Sequence, residues 1–132
     1  MKVLIVDDNA ALSSSVSDAI VSWGYRAKSA DTGELALKKM ESENFDLVLL
    51  DIFLPDCKGH ELISQFKKKQ PGIGVITMTG YNSRDLEKEV RRQGVLFYMI
   101  KPFANTHLKK ILDHVNKKKT KSMNNRGGGR YL

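Results

Sequence analysis

Five polar residues lie where they could act together. Asp7 and Asp8 follow the apolar run Val3-Leu4-Ile5-Val6, and Asp51 follows Asp46-Leu47-Val48-Leu49-Leu50. Thr79 follows Gly74-Val75-Ile76-Thr77-Met78, and Lys101 follows Leu96-Phe97-Tyr98-Met99-Ile100. If these runs are neighbouring strands, all five residues meet at one sheet edge. Three carboxylates that close repel one another unless a cation neutralises them. Hard oxygen donors with no His or Cys beside them point to Mg²⁺, which keeps several waters and takes one or two carboxylates plus a substrate phosphate. With a divalent ion on one side and the Lys101 ammonium on the other, Asp51 is placed as a carboxylate nucleophile toward a phosphoryl group, giving an acyl phosphate. Such a transfer needs mainly positioning and charge neutralisation. The Thr79 hydroxyl is a donor for a phosphoryl oxygen, and Gly80 lets backbone approach closely.

Each residue also has a plainer role. Asp7, Asp8 and Asn9 are suited to capping a first helix, and Asp51 to opening a turn ahead of Pro55 and Gly59. Lys101 alone reads as a solvated lysine and Thr79 alone as a strand residue. Their joint placement at the ends of separate runs favours the chemistry.

The elements that must position them are legible in the hydropathy pattern. The runs are continuously apolar and rich in branched residues, as strands covered on both faces are. Arg26-Ala27-Lys28-Ser29 is polar and reads as an edge strand, making five. Helical spacing joins Leu12, Val16, Ala19, Ile20 and Trp23; Ala36, Leu37 and Met40; Leu62, Ile63 and Phe66; and Leu108, Ile111, Leu112 and Val115. Gly24 fits a C-cap, Gly33 and Glu34 a helix start, Pro71-Gly72 a break, and Ser83 and Asn105 two N-caps. Ser83 to Gly94 is crowded with charge around Leu86 and Val90, which predicts a weakly anchored helix. The β-α alternation predicts a doubly wound, five-stranded parallel α/β sheet with five helices and ligands beyond the carboxyl ends of its strands.

The 132 residues, 41% hydrophobic and 28% charged, fit one globular domain. No apolar run is long enough for a membrane span or a signal peptide, so a cytoplasmic location with no membrane partner is expected. Cys57 is the single cysteine, which excludes an internal disulfide and reads as a loop bystander. The formal charge is +7, but Lys117, Lys118, Lys119, Lys121, Arg126 and Arg130 follow the last acidic residue, Asp113, and without them the charge is +1. This predicts a domain over residues 1–118 and a flexible basic tail over 119–132, solvated rather than bound to nucleic acid, since no aromatic platform accompanies it. His60, His107 and His114 lack the i, i+4 spacing of a metal pair and read as surface residues.

Four motifs, Val-Asp-Asp-Asn at 6–9, Leu-Asp-Ile-Phe-Leu-Pro-Asp-Cys-Lys-Gly at 50–59, Met-Thr-Gly at 78–80 and Lys-Pro-Phe at 101–103, occur in one order and spacing. Over Lys2 to about Lys118 the chain resembles the receiver domains of two-component response regulators, the chemotaxis-receiver-like family of bacterial phosphorelays. The resemblance implies a flavodoxin-like sheet of order 2-1-3-4-5. It also implies that Asp51 accepts a phosphoryl group from a sensor histidine kinase or phosphotransfer protein. Mg²⁺ would be held by Asp8, Asp51 and the Phe53 backbone carbonyl, with Asp7 acting through water. Lys101 would pair with the phosphoryl group, and the Lys101-Pro102 bond would be cis. Thr79 would move toward the phosphate while Tyr98 turns inward. The helix from Ser83, the last strand and the final helix would present the state to a downstream effector. The protein would then be a signalling switch, monomeric or dimerising on phosphorylation, and not an enzyme with a separate substrate.

Phe53 and Tyr81, each two residues beyond Asp51 and Thr79, flank the path expected for an attacking water and predict a long-lived acyl phosphate. Two alternatives stand beside this reading. One is a receiver belonging to a larger DNA-binding or ATPase-type regulator, although no helix-turn-helix pattern follows Val115. The other is an aspartate-nucleophile phosphatase resembling the haloacid-dehalogenase-like enzymes, which carry a second Asp where this chain has Phe53.

Overall fold

The computed structural model describes residues 1–129, with side chains as far as Thr120. Strands β1 (Lys2–Val6), β2 (Arg26–Ala30), β3 (Leu47–Asp51), β4 (Gly74–Thr79) and β5 (Phe97–Ile100) alternate with helices α1 (Ala10–Ser22), α2 (Gly33–Ser42), α3 (Ile63–Lys69), α4 (Arg84–Arg92) and α5 (Asn105–Gly129). A short 3-10 turn, Gly59–Leu62, leads into α3. All strand pairs are parallel, in the order β2-β1-β3-β4-β5. Met1–Pro102 form one compact unit, and α5 belongs to a second that starts at Phe103.

Burial follows the pattern of the runs. β3 is buried along its whole length, and β1 and β4 nearly so, whereas β2 exposes Arg26, Lys28 and Ser29 as an edge strand does. Alternation sends Leu4, Val6, Val48 and Leu50 to one face, where they pack with Ala36 and Met40 of α2 and Ile63 and Phe66 of α3. The buried Val16 and Ile20 of α1 are not part of that cluster, and α1 packs on β1 and β2. Side-chain caps fix the helix starts: Asn9, Thr32 and Ser83 accept from the N–H groups of Leu12, Leu35 and Leu86. Gly24, at φ 92°, ends α1 in the left-handed region that a side chain disfavours.

Helix α4 is the weakly anchored element that its sequence predicted, since Val90 is its only buried residue. Two expectations need correction or narrowing. Asn105 is the first residue of α5 and not its cap; the Ala104 carbonyl accepts from the N–H groups of His107 and Leu108. The tail expected over 119–132 falls in the last turns of α5 and in residues 130–132, which lie outside those described. Among the described residues no helix is long and apolar enough to cross a membrane.

Candidate functional site

The sheet brings the acidic residues to one edge. Asp51 is the last residue of β3 and Thr79 the last of β4, while Asp7 and Lys101 directly follow β1 and β5. The ladder extends into the loops: the Asp7 N–H donates to the Ala30 carbonyl at 3.1 Å, and the Lys101 N–H to the Thr79 carbonyl at 2.8 Å. Local turns then aim the side chains. While Asn9 caps α1, its own N–H donates to Asp7 Oδ1 at 2.9 Å, which turns Asp7 inward and leaves Asp8 exposed.

After β3 the Phe53 N–H donates to Asp51 Oδ1 at 3.2 Å. The loop then folds back through an antiparallel bridge between Phe53 and Lys58. Asp56 ties this loop to α2 by accepting the N–H groups of Gly33 and Glu34 at 3.0 and 3.1 Å, and these bonds hold its carboxyl below the usual carboxylate range. Gly59 sits where no side chain fits: a Cβ there would penetrate the Asp51 carbonyl oxygen and lie 3.2 Å from the Ile52 Cα.

Carboxylate oxygens of Asp7, Asp8 and Asp51 lie within 4.8 Å of one another. Lys101 Nζ enters this cluster, 2.6 Å from Asp7 Oδ2 and 3.3 Å from Asp51 Oδ2. Asp7 and Asp51 are only 2% and 6% exposed. Burial pushes the Asp51 carboxyl above its ordinary pKa; Lys101 opposes that shift and the charge of Asp7 adds to it. Burial acts on Lys101 in the opposite sense, but its hydrogen bond to Asp7 and the negative charge around it outweigh burial and hold the ammonium protonated above its usual range. One ammonium, bonded to Asp7 and Asp51, thus offsets part of the charge of three clustered carboxylates. An all-oxygen donor set left with excess negative charge fits a hard divalent cation such as Mg²⁺.

The other expected residues are close by in the chain but differently engaged. The Thr79 hydroxyl donates to the Tyr81 carbonyl at 2.7 Å and accepts the Tyr81 N–H at 3.0 Å. The Tyr98 hydroxyl donates to Asn82 Oδ1 at 2.8 Å, with the Arg91 guanidinium 5.8 Å from its ring. Gly80 is exposed. Phe53 and Tyr81 meet edge to face with ring centroids 6.0 Å apart, 41% and 69% exposed. The Lys101-Pro102 bond is cis.

Cys57 is half-buried, and burial pushes its thiol up to about 11, so it is a poor nucleophile. His60 is not the surface residue its isolated spacing implied. It is buried at 4% exposure, because Gly59–Leu62 winds as a 3-10 turn and places residue 60 on the inward side with Ile63 and Phe66. The signal was present as the 60, 63, 66 spacing.

Comparison with known proteins agrees with this geometry. The Response regulator receiver domain family model matches residues 3–113. The response regulator protein FleR of Pseudomonas aeruginosa is 36% identical over 102 residues, covering 77% of this chain and 22% of FleR. Sporulation initiation phosphotransferase F of Bacillus subtilis is 35% identical over 102 residues, covering 77% of this chain and 82% of that protein. Among solved structures, a CheY-like response regulator receiver domain protein from Methanospirillum hungatei superposes with a TM-score of 0.83 at 34% identity, covering 91% of this chain and 97% of that one. The chain spans about a quarter of the length of the first curated relatives it matches. Family model, relatives and sheet order together place it in one family: this chain belongs to the response regulator receiver domains.

Proposed function

We propose that Asp51 accepts a phosphoryl group from a histidine kinase or phosphotransfer protein and that the resulting acyl phosphate resets α4 and its surroundings for a downstream effector. The observation that carries this reading is the clustering of Asp7, Asp8 and Asp51 at the carboxyl edge of the sheet, with the Lys101 ammonium bonded to Asp7 and Asp51. Asp8, Asp51 and the Phe53 carbonyl would hold Mg²⁺, with Asp7 reaching it through water. The ion would neutralise charge on the transferring phosphoryl oxygens.

In the transfer an Asp51 carboxylate oxygen bonds to phosphorus as the bond from phosphorus to the donor nitrogen breaks, and the nitrogen keeps the electron pair. Lys101 then redirects its ammonium toward a phosphoryl oxygen. The Gly80 backbone supports the same group. For Thr79 to donate to it, the hydroxyl must let go of the Tyr81 carbonyl. The Tyr98 hydroxyl is held by Asn82, the next residue of the same loop. Releasing residue 81 therefore disturbs residue 82 and frees Tyr98 to turn inward, which links the phosphate to α4 through one short loop.

Intact mass after incubation with Mg²⁺ and acetyl phosphate tests the assignment. The native chain gains one phosphoryl group only when Mg²⁺ is present, and Asp51→Asn gains none. A gain that persists in Asp51→Asn places the acceptor elsewhere.

The aromatic pair makes a second expectation measurable. Phe53 and Tyr81, two residues beyond Asp51 and Thr79, meet edge to face, and a pair so placed would restrict water at Asp51, so the phosphorylated chain persists for minutes or longer. Truncating both to alanine speeds phosphate loss about tenfold, equivalent to ~1.4 kcal/mol of barrier. A native lifetime of seconds, followed by mass after removal of the donor, contradicts this shielding role.

The short span of FleR covered supports a second reading, in which this receiver controls an attached DNA-binding or ATPase-type module.

A further inference from the structure

His60 is a buried titratable residue that the switch described above leaves unused. Its Nδ1 has no hydrogen-bond partner, and its Nε2 lies 3.5 Å from Glu89 Oε1 on α4. A neutral imidazole carries one N–H, and a buried donor without an acceptor is the costlier arrangement. Nε2 is thus the ring nitrogen with a polar neighbour, and an N–H there faces Glu89. Backbone geometry joins the same residue to the phosphoacceptor: the N–H of neighbouring Gly59 donates to the Ile52 carbonyl, and Gly59 presses on the Asp51 carbonyl.

Helix α4 has little else to hold it. Besides Val90 and the Arg91 guanidinium over the Tyr98 ring of β5, a further tie comes from α3, where Lys67 Nζ donates to the carbonyls of Gln93 and Gly94 at 2.7 and 3.0 Å, just past the last turn of α4. The helix is pinned at that end and steadied near its middle by His60. A residue serving packing alone would be apolar here and would leave no orphaned nitrogen in the core.

We propose that His60 is a positioning residue that latches α4 to the phosphoacceptor loop through Glu89. The latch can be read without phosphate; its service to signalling rests on the reading of Asp51 as the phosphoacceptor.

The test is amide hydrogen exchange of the unphosphorylated full chain, followed by mass spectrometry on peptides covering residues 84–92, together with thermal unfolding. His60→Leu is expected to exchange about fivefold faster in α4, the size of effect one partly exposed polar contact to a carboxylate gives. Its unfolding midpoint stays level or rises, because a buried orphan is removed. Glu89→Ala gives the same acceleration, and the double variant adds nothing further. His60→Gln, whose amide can still donate to Glu89, keeps the native rate. Unchanged α4 exchange in His60→Leu overturns the proposal, as do additive single effects or a loss of protection spread evenly over the chain. Phosphoryl uptake, measured in parallel, is retained in His60→Leu. A native chain that takes up no phosphate overturns the reading of Asp51 alone, and the exchange data still decide the latch.

Discussion

Replacing Lys101 with methionine lowers phosphoryl uptake from acetyl phosphate about a hundredfold, the scale on which removing one preorganised donor to a developing charge acts. The same change lowers stability by about 2–3 kcal/mol, because it leaves buried carboxylates without a counter-charge and the partial exposure of the lysine moderates that cost. The two effects separate on adding Mg²⁺. A divalent ion bound by the folded state takes over neutralisation, so Mg²⁺ raises the unfolding midpoint of Lys101→Met more than that of the native chain. Uptake does not recover in step, since in the proposed transfer the ammonium also binds the phosphoryl oxygens. Thermal unfolding with and without Mg²⁺, beside intact mass, checks both parts. An equal Mg²⁺ response in the two proteins contradicts the view that ion and lysine share one field.

Gly59→Ala is the more damaging of the single-atom changes. The added methyl meets backbone, the Asp51 carbonyl and the Ile52 Cα, and backbone cannot swing aside as the end of a side chain can. Relief requires moving either β3 or the 3-10 turn, at a cost of about 3 kcal/mol or more. For a domain of this size that lowers the unfolding midpoint by roughly 10 °C. Whatever folded protein remains takes up phosphate more slowly, because Asp51 has been displaced. Gly72→Ala is the control, since nothing lies within 4 Å of a Cβ there, and it leaves the midpoint within about a degree of native. A similar midpoint for both variants contradicts the close-approach argument.

Strand positions were legible because burial on both faces writes a strand as an unbroken apolar run, and the site residues were legible because they sit where those runs stop. Asp7, Asp51, Thr79 and Lys101 needed no tertiary information to be singled out. Their partners did. The Thr79–Tyr81 and Tyr98–Asn82 hydrogen bonds lie in a loop with no hydropathy period to read. Asp56 caps α2 across 23 residues of chain, a distance at which sequence carries no capping signal. The burial of His60 follows from its place in the 60, 63, 66 series, a signal that metal-ligand spacing does not carry. Asn105 suits a cap by residue type, but type alone does not decide between the cap and the first helical position that it occupies.

One consequence of the anchoring of α4 concerns how such a protein can change over generations. Val90 is the only residue of Arg84–Arg92 committed to the core, so the remaining positions can be substituted at little cost to folding. On the proposed reading of α4 as the effector-facing helix, selection can therefore rewrite which effector it addresses while the acidic cluster at the sheet edge stays fixed. A duplicated copy of this chain would then have a short mutational route to a new listener, with the proposed phosphoryl chemistry inherited intact.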